Sequence, residues 1–396
     1  VSRAVARTGE VFREALRLGL TSFGGPIAHL GYFERAYVHR LGWLSASEYA
    51  SLLALCQVLP GPTSSQLGFL IGRHRAGWSG AAAAWLGFTL PSALLMFAFA
   101  LLSPNLQRPL AAAAVHGLKL AAVAVVAQAM VGMARKLCPD PPRIAIGTLA
   151  AVVLTLVGGA AAQTAVLLAG ALAGAVLYKG AKWEIAAPTD AIGARAAWSA
   201  LVLCAVVLLA LPLAAAASGP HSAAAFVGAF YRAGTLVFGG GHVVLPMLHD
   251  ALVPGWLSDD AFLAGYGGAQ ALPGPLFAIA AYLGVVAVPA HGVLAGIVAL
   301  CGLFLPGLLL ALAGQRLLGH LSHSRRAPAL LAGVNAAVVG ILAAAWYDPV
   351  CTGSLHDFGD AGVALLGLLL LERGRWPPVL VVALCVAIAM LRAGMR

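Results

Sequence analysis

Two arginines lie in apolar runs where a cation needs a partner. Arg17 precedes Phe23-Gly24-Gly25-Pro26 by six residues, and Arg232 precedes Phe238-Gly239-Gly240-Gly241 by the same six. An unpaired arginine near a bilayer centre costs about 2.5–3.5 kcal/mol on insertion scales. No Asp or Glu falls clearly inside an apolar segment. Two arginines at matched depth without a carboxylate imply an anion between them. The alternatives are snorkelling to the interface and bonding to carbonyls freed by the broken helices. Lys119, whose counterpart is Asn335, is a weaker donor pair. The missing intramembrane carboxylates argue against a metal-cation carrier.

Glycine and proline mark the breaks that would receive such an anion. Gln57-Val58-Leu59-Pro60-Gly61-Pro62 recurs as Gln270-Ala271-Leu272-Pro273-Gly274-Pro275. A half-helix that starts near the midplane presents free N–H groups and a partial positive charge. Thr63 and Ser64 follow the first motif with hydroxyl donors; Leu276 and Phe277 follow the second and offer only backbone. The candidate binding set is therefore Arg17, Arg232, Gly24, Gly25, Gly239, Gly240, Gln57, Gln270, Gly61, Thr63, Ser64, Gly274, Lys119 and Asn335. The bland reading of Gln57 and Gln270 is that they cap and pack broken helices.

Other chemistry finds little support. His29 and His242 follow the glycine breaks at unequal offsets, and His116 and His291 stand apart; structural roles suit them better than proton coupling. No HExxH or Cys/His ligand spacing occurs. The six cysteines form no CxxC and mostly lie in apolar runs, as small packing residues do. No phosphate-binding loop, flavin or haem motif is present. The chain reads as a non-enzyme without cofactors.

The elements that must hold these residues are membrane segments. The 396 residues are 61% hydrophobic and 10% charged, with a mean hydropathy of +0.92. So few charges cannot cover a soluble fold of this length. The net charge of +10 is scattered through short loops, which excludes nucleic acid and fits the positive-inside rule. The longest polar stretch, Lys179 to Arg195, is a linker.

Self-comparison divides the chain into two repeats. Trp43-Leu44-Ser45 recurs as Trp256-Leu257-Ser258, and Gly87-Phe88-Thr89-Leu90-Pro91 as Gly302-Leu303-Phe304-Leu305-Pro306, at offsets of 213 and 215. Apolar segments run near 11–32, 47–72, 77–103, 109–134, 142–159 and 160–178, then near 222–247, 262–287, 291–314, 328–347, 359–371 and 376–391. An unpaired segment, 196–217, joins the halves. The expected organisation is a first repeat over 1–178, a linker and connecting helix over 179–217, and a second repeat over 218–396. The expected fold is an all-α polytopic membrane protein.

Loop charges orient the repeats. Arg35 and Arg40 lie in the first loop of repeat one, and Arg73 and Arg75 in the next. The loops 248–261, 286–291 and 348–360 contain no Lys or Arg, and two of them are acidic. The repeats are therefore inverted. The loops before, between and after the first two segments are all basic in repeat one, and the corresponding three in repeat two all lack Lys and Arg. Those segments read as re-entrant hairpins broken near the middle, with kinked full spans as the alternative. Re-entrant backbone is tolerated only where it is buried or lines a cavity.

These motifs carry a resemblance. Ser22-Phe23-Gly24-Gly25-Pro26 with Ala28-His29, Gly42-Trp43-Leu44-Ser45, Ala54-Leu55-Cys56 running into Gln57–Pro62, Gly87–Pro91 and their second-half copies are similar to the chromate ion transporter family, in its long form with two fused halves. The resemblance implies a multi-pass protein of the bacterial inner membrane that exports chromate and confers resistance. The half-site after Pro275 lacks the hydroxyls that follow Pro62, so the site is chemically lopsided. Nothing in the residues separates chromate from sulfate, both tetrahedral dianions, and an anion channel is the reading from another class. The expected partners are the oxyanion and the lipid bilayer, with a homodimer as the possible assembly.

The charge pattern places the N-terminus in the cytoplasm and, after an odd number of crossings, the C-terminus in the periplasm; Arg392 and Arg396 run against this. A C-terminal alkaline phosphatase fusion should be active and a green fluorescent protein fusion dark. The reverse pattern would rule out the inverted arrangement.

Overall fold

The structure is a computed structural model that describes residues 2–23, 25–102, 109–178, 192–238, 241–321 and 326–394. All its regular elements among these residues are helices. Repeat one contains α1 (Ser2–Thr21), α2 (Gly25–Phe33), α3 (Ala46–Val58), α4 (Thr63–Leu102), α5 (Pro109–Leu137), α6 (Pro141–Val157) and α7 (Gly159–Leu177). The joining helix is α8 (Ala194–Ser218). Repeat two contains α9 (Ala223–Leu236), α10 (Val244–Leu252), α11 (Asp259–Gln270), α12 (Ile279–Ala287), α13 (Gly292–Leu321), α14 (Arg326–Ala345), α15 (Phe358–Glu372) and α16 (Pro378–Gly394). Five helices among the described residues are long and apolar enough to cross a membrane. The expected re-entrant segments are the broken pairs α1/α2, α3/start of α4, α9/α10 and α11/α12. The central part of the linker, 179–191, lies outside the described residues.

The recurring sequence motifs turn out to be helix starts. Ser45 caps α3 and forms a capping box with Glu48; its counterpart Ser258 caps α11. Each hydroxyl satisfies an N–H that the helix leaves free. α4 bends at Ala76 and Gly77, where Gly77 has φ +65°. That bend is the equivalent of the loop between α12 and α13.

Packing follows the repeat. α1 lies on the second half of α4, and α9 lies on α13 in the same way. Glycine permits both approaches: a Cβ at Gly19 would lie 2.6 Å from the Phe88 carbonyl oxygen, and one at Gly234 would strike the Leu303 carbonyl. Beyond these pairs the repeats exchange helices. α14 packs on α6 and α7, while α5 packs on α15 and α16. Gly333 rests on the backbone of Gly170 and Gly174, and Gly340 rests on Gly147. Small residues at such crossings let membrane helices gain close van der Waals contact.

Each terminal helix pair is pinned at one end. Asp140 caps α6, accepts from Arg143 Nε at 2.7 Å and accepts from the Tyr178 hydroxyl at the end of α7 at 2.5 Å. Hydrogen bonds from Arg143 and then Tyr178 hold its carboxyl down at about 2. The repeat-two counterpart is Asp357, which caps α15 and binds Arg392 of α16 at 2.8 Å. Arg392 also donates to Asp360 at 2.7 Å. Arg392 is thus neutralised by acidic partners.

Candidate functional site

Four helix ends meet where the hairpins break. The Gly61 N–H donates to the Val237 carbonyl at 2.7 Å, and the Gly274 N–H donates to the Ser22 carbonyl at 3.0 Å. Ser22 and Val237 are repeat mates, as are Gly61 and Gly274. Each Pro-Gly-Pro segment is therefore strapped to the end of the other repeat's first half-helix. A helix C-terminus leaves carbonyls unpaired, and hydrocarbon offers them no water; the straps supply the donors. Gly61 and Gly274 adopt φ of +122° and +93°, which a side chain would strain. Nearby, Gln66 Nε2 donates to the carbonyls of Pro60 at 2.8 Å and Gly307 at 2.9 Å.

The helix that starts after Pro62 carries the polar side chains. Thr63 Oγ donates to the Cys56 carbonyl at 3.4 Å. Ser64 is buried and faces His29 Nδ1 at 3.4 Å, while His29 Nε2 lies 3.2 Å from the Ser22 carbonyl. The hydroxyls of Ser22, Ser65 and Thr89 and the amide nitrogen of Gln270 are buried without a partner. Unpaired buried donors are uncommon in folded proteins. Ser22 follows α1, Ser65 lies in the first turn of α4, Gln270 ends α11, and Thr89 lies on the second half of α4. In repeat two, Leu276, Phe277 and Ala278 form one buried 3-10 turn with no side-chain donor, as the sequence implies.

The remaining candidates are dispersed. Arg17 is exposed on α1, on a stripe where Glu10 pairs with Arg75 at 3.0 Å and Glu14 pairs with Arg40. Arg232 is exposed and lines a pocket between α7, α9 and α10 with Gln163, Thr164 and Met247. That pocket contains neither Arg17 nor a Pro-Gly-Pro residue. Neither arginine makes an ion pair among the described residues. Lys119 is buried and ion-paired with Asp260, so its ammonium already has a carboxylate partner. Asn335 is half-buried on α14, Gln57 is exposed, and Gly25 opens α2. Gly24, Gly239 and Gly240 lie outside the described residues. The candidate set drawn from the sequence leaves out Ser22 and Thr89, and it leaves out Ser65 and Gln66 although both are hydrogen-bonding residues at the same helix start. Ser65 and Gln66 stand in the polar run after Pro62, which was the available signal.

The two repeats are closed to different degrees. Around α10, α11 and α12 a single core includes residues of α5, α6, α7 and α14. α11 packs against α5, with Gly267 on Leu118, and Gln163 of α7 donates to Asp250 at 2.9 Å. The corresponding core around α2 and α3 contains no residue from α5–α7 or α14–α16 among the described residues. Ala50, Gln57, Gly31 and Arg35 are exposed, whereas their mates Leu263, Val244 and Leu248 are buried and Gln270 is half-buried.

Comparison with known proteins places this architecture. The profile described as "Chromate transporter" matches residues 9–175 and again 224–390. The chain belongs to the chromate transporter family. A chromate transport protein of Pseudomonas aeruginosa is 31% identical over 346 residues, which is 86% of this chain and 80% of that protein. A probable chromate transport protein of Synechococcus elongatus is 29% identical over 360 residues, 89% and 87% of the two chains. A chromate transport protein of Cupriavidus metallidurans is 27% identical over 372 residues, 90% and 86% of the two. No solved structure matches. Each profile match covers one set of broken helices and the helices that follow it, so the chain is the long form of the family, with two fused halves.

The straps make a specific demand on glycine. Gly61→Val and Gly274→Val should each lower the stability of the purified transporter by about 1–3 kcal/mol, the cost of a strained backbone conformation, with added loss from the contact on Gly307 or Ser92. Gly77→Val, at a positive φ but with open space around it, should show the backbone cost alone. Thermal unfolding in detergent measures all three. Equal losses at all three would show that the straps add nothing.

Proposed function

We propose that the protein is a secondary carrier that exports chromate across the bacterial inner membrane and so confers resistance. The unequal closure of two matching halves supports this reading most. A channel built from two equivalent halves needs no such inequality. A carrier that exposes one site alternately to each side requires it, with one hairpin pair packed against the exchanged helices at a time. The closed side has acidic loops and is the periplasmic one by the positive-inside rule. Arg13, Arg17 and Thr21 on α1 and Gln57 on α3 are exposed at or near membrane depth, where lipid tails would not tolerate them. They line a water-filled approach from the cytoplasm.

The oxyanion is held at the helix start after Pro62. Backbone N–H groups, Ser64, and the free donors of Ser22, Ser65, Thr89 and Gln270 surround it. Gly25, at φ +74° with open space around it, lets backbone approach it closely. Arg17 draws the dianion in from the cytoplasmic side, and Arg232 stands on the exit side at the equivalent depth. Lys119 and Asp260 hold the periplasmic side shut. Sulfate, with the same charge and shape, is the competing substrate.

Purified protein in liposomes should take up radiolabelled chromate saturably, with sulfate as competitor. Arg17→Ala and Arg232→Ala should each reduce flux at least about tenfold while insertion is unchanged, and lysine should restore only part because it lacks the bidentate fork. Normal flux with both arginines replaced would remove them from the pathway. Flux that follows the anion gradient alone at channel rates would replace the carrier by a pore.

A further inference from the structure

We propose that His29 couples a proton to oxyanion binding: the ring takes up a proton as the anion arrives and thereby frees the Ser64 hydroxyl to bind it. The proposal rests on the reading of Ser64 as a ligand of the anion.

The geometry sets the resting hydrogen positions. A carbonyl oxygen only accepts, so the contact of His29 Nε2 with the Ser22 carbonyl at 3.2 Å places the ring proton on Nε2. That carbonyl also receives the Gly274 strap at 3.0 Å. In the neutral ring Nδ1 is then a lone pair, and it faces Ser64 Oγ at 3.4 Å. The Ser64 hydroxyl must donate to the ring. A hydroxyl has one proton, so in this state Ser64 has none for an anion. Protonating Nδ1 reverses the bond. The imidazolium donates to Ser64 Oγ from Nδ1 and still donates to Ser22 from Nε2. The Ser64 hydrogen can then turn toward the anion, and a positive charge stands behind it.

The surroundings link the two events. His29 is 1% exposed. The groups that face its ring are the Ser22 carbonyl from α1, the Ser64 hydroxyl from the start of α4 and the edge of Phe88 from the second half of α4, at 5.3 Å between centroids. From α3, Tyr49 donates to the Leu30 carbonyl, one residue along α2 from the histidine. No carboxylate, lysine or arginine is bonded to the ring among the described residues. A buried charge without a partner is costly, so the ring accepts its proton only when the dianion supplies the opposite charge. Proton and anion therefore bind together, and the proton comes from water on the side to which the site is open. His242, in the second arm of the other hairpin, pairs with the Tyr266 hydroxyl at 2.8 Å. It has no serine at a helix start, so the device exists in one half only.

Chromate binding to the detergent-solubilised protein, titrated from neutral to alkaline pH, tests this. One linked proton makes affinity fall by up to about tenfold per pH unit as pH rises. Chromate's own protonation contributes equally to every variant, so differences in slope belong to the protein. His29→Gln can keep the bond to Ser22 and accept from Ser64, which mimics the neutral ring; it should bind with a slope flatter by up to one. His242→Gln should keep the full slope. Wild-type protein should also take up protons on chromate addition in weak buffer, at a pH where free chromate is a dianion, a readout that needs no variant. A full slope in His29→Gln, or no proton uptake by the wild type, would overturn the coupling. Ser64→Ala separates the two ideas: unchanged chromate affinity in that variant removes the site itself, whereas weakened affinity beside an unchanged His29→Gln slope removes only the proton.

Discussion

A carbonyl at the end of a half-helix inside a membrane has no water to turn to. Here two such carbonyls, Ser22 and Val237, each accept an N–H from the Pro-Gly-Pro segment of the opposite repeat. The exchange is reciprocal, so neither set of broken helices is complete without the other. The constraint explains why the breaks occur twice and why each motif holds a glycine between two prolines. A polar centre that would be intolerable in a single hairpin is satisfied when two hairpins share it.

The exchanged helices tie the two repeats together. α5 and α14 cross into the opposite repeat, and glycine contacts at Gly333, Gly340 and Gly117 keep those crossings close. This bundle lies tightly on α10 and α11 but leaves α2 and α3 largely uncovered. Charge chemistry agrees with the inequality. Where α5 meets α11, Lys119 pairs with Asp260; the equivalent residues of the exchanged arrangement, Asn335 and Ser47, carry no charges to pair. The repeats share a framework but differ in what fastens them, and that difference suits a cycle whose two ends need not be equally stable.

Much of this was legible in the residues. The duplication, the order of segments and the breaks followed from repeated motifs at near-constant offset, because helix starts and tight reversals require particular residue types. Trp-Leu-Ser was visible as a repeat, and its serine proved to be the helix cap. Other features depend on tertiary neighbours that no local pattern encodes. Arg392 reads as a basic tail until Asp357 and Asp360 stand beside it. Lys119 reads as a free cation until Asp260 reaches it from α11. His29 and His242 sit at an offset of 213, the value that holds at the Pro-Gly-Pro motifs and not at the glycine breaks. A gap of two residues beside the glycines hid their equivalence.

The central claim is that one site opens to one side at a time, and thiol accessibility tests it directly. Gln57→Cys and Gln270→Cys place equivalent probes on the open and closed halves, read against the background of Cys301 and Cys351, which are not buried. A membrane-impermeant thiol reagent should modify position 57 from the cytoplasmic face of inverted vesicles and leave position 270 unmodified from the periplasmic face of right-side-out ones. Chromate turnover should slow the first reaction and speed the second. Simultaneous reaction of both positions, each from its own side and at rates indifferent to the anion, would contradict alternating access.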